Sequence, residues 1–190
     1  MNKLILLCLV SVISIKTYGQ LSVTKESGGS VITKLGMGVK VNDGSTLSRE
    51  FFTVNAKDCP VQIQSAGIRI NYSTRFSCVP VGKIVLAEPI TAYEIHHVLY
   101  NVFGEHIKTL RNTVVTDISS GMEFNQFASW YASENEVSEY LICVSYVATV
   151  RTATGVIWRY NFKDIQMELN KLKLKFEEGD LPNEVKNNGE

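Results

Sequence analysis

The sequence predicts an all-β protein: an antiparallel β-sandwich followed by one C-terminal amphipathic helix. Three observations carry this. Seven or eight short segments are enriched in Val, Ile, Tyr and Phe and are separated by turn residues. No helical periodicity interrupts them, which argues against an alternating βαβ arrangement. Helical spacing occurs once, near the end, where Ile165, Leu169, Leu172 and Phe176 fall on one stripe.

The first element is no part of that fold. Lys3 precedes an apolar run from Leu4 to Ile15, with Thr17 and Gly19 as small residues before Gln20. The run is too short to cross a bilayer comfortably and has the layout of a secretory signal peptide, 1–19. Cys8 lies inside the run and not after a lipobox, so lipidation is not expected. Cleavage removes Lys3 and Lys16 and leaves 17 basic against 19 acidic residues. With no basic block, nucleic acid and strongly anionic partners are not expected. About 170 residues remain, enough for one domain with a proper core.

Residues 20–35 are polar, with S-G-G-S at 27–30, and are expected to be a flexible leader. The sandwich is expected over 36–162. A turn is read at Asn42-Asp43-Gly44, then a strand in R-E-F-F-T-V. From Cys59 onward strand-like segments alternate with turns at N-Y-S-T, V-F-G-E, I-S-S-G and T-A-T-G. In the last of these, Gly155 can take a positive φ, and Val156, Trp158, Tyr160 and Phe162 are expected to share one face of the final strand, with Trp158 in the core. The helix is expected over 163–178, capped by Asn161, with Asp164 in its first turn and Gly179 at its end. Residues 179–190 are expected to be a disordered tail.

Two strands are apolar on both faces. Residues 90–103 carry Ile90, Val98 and Tyr100 on one parity and Tyr93, Ile95 and Leu99 on the other. Residues 140–150 are apolar at every even position and also at Leu141, Cys143 and Val147. An antiparallel sandwich normally has one wet face. This sheet should therefore be covered twice, by the second sheet inside and by the C-terminal helix outside.

Y-N-V-F-G-E (100–105), D-I-S-S-G (117–121) and V-R-T-A-T-G-V-I-W (150–158) together resemble a pattern found in a broad group of uncharacterised bacterial exported proteins. The resemblance spans roughly Cys59 to Phe176. It implies an immunoglobulin-like or fibronectin-III-like sandwich with a short helix behind it, and it brings no catalytic residues. Cys78 and Cys143, 65 apart, stand in the strands that would hold an inter-sheet disulfide of the immunoglobulin type. Cys143 falls on the less apolar parity of its strand, which points it away from the core unless a bulge intervenes. The other reading is that all three remaining cysteines, Cys59 included, are free thiols.

Catalytic and cofactor signatures are missing from the sequence. There is no nucleophile elbow, no Walker loop, no dinucleotide fingerprint and no paired-cysteine zinc spacing. His96 and His97 are adjacent on a strand and should point to opposite faces, so no metal site is expected there. The acidic loop with Glu134, Glu136 and Glu139 lacks calcium-loop spacing and reads as solvated. No cofactor is expected. Between two strands lie Phe127, Trp130 and Tyr131. Phe127 and Trp130 suit capping of the open end of the core, while Trp130 and Tyr131 are the candidate contact residues, since Trp and Tyr head the list of interface anchors. The expected function is an exported, periplasmic or extracellular, non-catalytic binding or assembly module making protein–protein contacts, with no membrane insertion after cleavage. The alternative is a carbohydrate-binding module, which would need exposed coplanar aromatics from Trp130, Tyr131 and Trp158.

Overall fold

The computed structural model describes residues 21–27, 49–72, 75–115, 118–123, 130–133 and 139–182. The expected signal peptide, the turn at 42–44, Phe127 and the loop at 134–138 lie outside them. Among the described residues nine strands form two sheets. β1 (Leu21–Ser27), β2 (Glu50–Ala56), β5 (Ile90–Tyr100), β6 (His106–Val115) and β8 (Ile142–Thr152) make the larger, in the order β1-β2-β8-β5-β6, and β9 (Ile157–Arg159) also pairs with β8. β3 (Val61–Tyr72), β4 (Phe76–Leu86) and β7 (Trp130–Ala132) make the smaller, in the order β3-β4-β7. All pairings are antiparallel except β2 with β8. The described residues are thus mostly β, with two facing sheets and, among them, one α-helix, α1 (Phe162–Lys171).

The stretch expected as a flexible leader instead contains β1. Leu21 pairs with Ala56 and Ser27 with Glu50. A polar sequence can form an edge strand because backbone pairing, not side-chain burial, supplies most of what holds it.

Both faces of the larger sheet are buried. Inside, Tyr93, Ile95, Val147 and Val150 meet Val61, Ile63 and Ile84 of the smaller sheet. Further along, Leu99, Leu110 and Cys143 meet Ile68, Ile70, Phe76 and Cys78. Outside, Phe52, Val54, Val98, Tyr100, Val144 and Tyr146 lie under Ile165 and Leu169 of α1 and under Leu174 and Phe176 beyond it. Burying each such side chain is worth about 1.5–3 kcal/mol.

The parity of β8 changes along its length. Glu94 pairs with Thr149 but Ile95 pairs with Val147, so Ala148 is the extra residue of a β-bulge. Before it Cys143, Ser145 and Val147 face the smaller sheet; after it Val150 and Thr152 do. Cys143 therefore points into the core, opposite to its expected direction, and is fully buried.

The last strand also departs from expectation. Gly155 has φ +89 and forms the turn, its N–H bonding Thr152 O at 3.0 Å. Val156 is exposed, Trp158 packs against the inner core, and Tyr160 and Phe162 pack against the outer cluster. β9 is only three residues long, so its alternation cannot be extended to Tyr160 and Phe162.

The helix is shorter than expected. Asn161 caps it, its side chain accepting from Lys163 N at 3.0 Å. It ends at Lys171, not 178. Lys173 has φ 61, its N–H bonds Asn170 O at 2.9 Å, and Leu174 N–H bonds Leu169 O at 3.0 Å. That is a Schellman ending, with Leu174 folded onto Leu169. Gly179 does not end the helix. It lies in a single 3-10 turn, Glu178–Asp180, and Leu181 packs against the outer cluster. The expected disordered tail is thus structured at its start, while 183–190 lie outside the described residues.

Candidate functional site

β7 alternates as a strand must. Trp130, opposite Cys78, is half-buried against the inner core, whereas Tyr131, opposite Ser77, is 70% exposed. The Arg75 guanidinium lies 5.6 Å from the centre of the Tyr131 ring, a cation–π contact. Beside them a small apolar pocket opens between β7 and β6, walled by Ile107, Lys108 and Trp130 and floored by Leu99, Cys78 and Tyr140. Arg49 sits behind the floor. Its guanidinium is 5.0 Å from the Tyr140 ring centre and its Nε donates to Tyr140 O at 3.0 Å. Burial pushes the Tyr140 hydroxyl well above its ordinary pKa, with Arg49 working against that rise.

The two candidate contact residues are therefore neighbours with different tasks: Trp130 closes the core end and Tyr131 faces solvent. Trp158 is elsewhere. It packs against the core cluster at the other end of β3 and β4, and its Nε1 donates to Asp58 Oδ2 at 3.2 Å. No platform joins it to Trp130 and Tyr131, so the three aromatics do not make a shared sugar-stacking surface. Arg75 and the Ile107–Lys108 wall were not singled out from sequence. Nothing local marks them, because they reach Tyr131 and the pocket only through the pairing of β4 with β7 and the facing of β6.

His96 and His97 point to opposite faces. On the outer face His96 Nε2 is 2.7 Å from Glu94 Oε1, and its Nδ1 is 3.1 Å from the Tyr146 hydroxyl. Glu94 Oε2 accepts from Thr113 Oγ1 at 2.8 Å and lies 3.1 Å from Arg111 Nε. Burial raises the Glu94 carboxyl, but hydrogen bonds from His96 and Thr113 and the nearby charges outweigh it, and it titrates below its ordinary value. Tyr160 stacks obliquely on Tyr146 with centroids 5.0 Å apart. This network ties β5, β6 and β8 to the approach of α1. Glu94 and His96, two apart on one strand, were its available sequence signal.

On the inner face His97 Nδ1 lies 2.8 Å from Ser145 Oγ, and Ser145 Oγ is 3.7 Å from Cys143 Sγ. Burial, with a smaller contribution from His96, pushes the His97 pKa down to about 3. Burial likewise raises the Cys143 and Cys59 thiols to about 12, far from any nucleophile's working range. Cys59, Cys78 and Cys143 are all buried and unbridged in the structure. Cys78 and Cys143 share one core cluster and Cys59 belongs to another. Among the described residues no three metal-ligating side chains converge, and no helix is long and apolar enough to cross a membrane. Glu139, the described acid of the 134–139 loop, is exposed.

No protein family, curated protein or solved structure was found that matches this chain.

Proposed function

We propose that the protein is an exported, non-catalytic binding or assembly module acting in the periplasm or outside the cell, and that it contacts a protein partner through the β7 end of the sandwich. One observation carries this reading. An exposed tyrosine and an anchored tryptophan stand side by side over an apolar pocket, the composition and layout of an interface anchor. The immunoglobulin-like or fibronectin-III-like class belongs to the same proposal. Two facing sheets and the parallel pairing of β2 with β8 support it.

The test is capture of partners from a native envelope extract by tagged protein beginning at Gln20, with Tyr131→Ala beside it. Tyr131 is exposed, so its removal leaves the core intact. A specific protein held by the parent chain and lost at least tenfold by Tyr131→Ala supports the proposal. Equal capture by both chains, or capture of no protein, refutes it.

A further inference from the structure

β1 and β2 are antiparallel neighbours over seven residues, yet 22 residues separate Ser27 from Glu50. Antiparallel neighbours need a connection of only about 2–5 residues. β1 is also the edge of its sheet, and β2 is its pairing partner among the described residues. Of its described side chains Ser22 and Val23 are exposed, and Leu21 alone packs against the outer cluster. The contact seen along the whole of β1 is the backbone ladder to β2. Such a ladder is indifferent to which copy of the chain supplies the strand. A fully extended connection of this length spans up to about 70 Å, farther than the width of a domain of this size.

We propose that β1 is an exchangeable strand, and that β2 of one copy accepts β1 of a second copy in the register seen within one chain, Leu21 opposite Ala56 to Ser27 opposite Glu50. The inference goes beyond the β7 contact proposed above: it uses a different edge and names a second copy of the chain as a further partner. The swapped and closed forms have the same strand contacts, so concentration decides between them. A strand tethered to its own acceptor is present there at an effective concentration of about 1 mM, so exchange grows as copies approach that density.

The test uses two full chains, one Val23→Cys and the other Val54→Cys, whose positions are opposite in the β1–β2 register. They are mixed from about 10 µM to about 1 mM, the range over which exchange should rise, and treated with oxidised glutathione. Cys59, Cys78 and Cys143 are buried and make little background, and Cys8 is replaced by Ser in every chain used. A disulfide-linked mixed dimer whose yield climbs with concentration is expected, well above that of a control pairing Val23→Cys with Val115→Cys, which is exposed on β6. A second pair, Thr24→Cys with Thr53→Cys, covers failure of the Val54 variant to fold. No excess over the control overturns the proposal. So does a double variant, Val23→Cys with Val54→Cys in one chain, that closes only within itself at every concentration. If exchange fails while a different protein is captured through Tyr131, the assembly reading stands and strand exchange falls.

Discussion

His97 Nδ1 and Ser145 Oγ lie 2.8 Å apart across β5 and β8, a polar pair sealed between two apolar sheets. The histidine is held neutral there, with its pKa lowered to about 3, first by burial and then by His96. The unfolded chain binds a proton near pH 6.5 and the folded chain does not until about 3. Stability is therefore complete above the unfolded pKa and is lost as pH falls towards the folded one. The slope reaches at most about 1.4 kcal/mol per pH unit from this group. Urea unfolding between pH 7 and pH 4 should show this decline, and His97→Asn should flatten it. An unchanged slope in the variant would exclude His97 as its source.

His106 offers a smaller version with opposing causes. Burial lowers its pKa, while Asp180, whose Oδ1 is 3.1 Å from Nδ1, raises it. Removing the carboxylate by Asp180→Asn should move the His106 titration further down, as followed by the imidazole NMR signals. An upward shift would contradict the pairing.

Leu169 is fully buried where α1 meets the outer face of the sheet. Leu169→Ala should cost about 2–5 kcal/mol. Its exposed neighbour Lys171, ion-paired with the half-buried Glu168, should cost less than about 1 kcal/mol on the same change. Deleting residues 163–190 should expose the outer apolar cluster and produce oligomers that bind a hydrophobic dye. A truncated monomer of equal stability would show that α1 is dispensable cover.

Lys173 adopts a left-handed conformation that glycine tolerates better. Lys173→Gly should stabilise the chain by about 0.5–1 kcal/mol, measured by urea midpoint.

Gly104 and Gly155 both have positive φ, but their surroundings differ. A Cβ on Gly104 would stand 2.7 Å from Lys173 O, whereas one on Gly155 meets nothing within 4 Å. Gly155→Ala should cost about 1–2 kcal/mol from backbone strain alone. Gly104→Ala should cost clearly more, because it also separates the β5–β6 turn from the segment whose Lys175 N–H bonds Gly104 O at 3.1 Å. Equal losses at the two sites would mean that this backbone contact is unimportant.

The sequence by itself determined what local pattern can encode. Alternating Val, Ile and Tyr set the strands, glycines at 104, 121 and 155 set the turns, Asn161 set the start of the helix, and adjacency on a strand set His96 and His97 on opposite faces. Apolar residues on both parities of β5 and β8 required two covers, and two are present. Tertiary structure decided the rest. The bulge at Ala148 reverses the facing of β8, and period-two counting cannot register an extra residue whose place is fixed by the partner strand. The helix ends at Lys171 because Leu174 gains more by folding onto Leu169 than Lys173 loses in a strained backbone; no glycine announces it. Polar residues 21–27 become β1 because an edge strand needs a partner's backbone more than apolar side chains of its own. Trp130 and Tyr131 stood out by residue type, but Arg75, Ile107 and Lys108 joined them only when three distant strands came together.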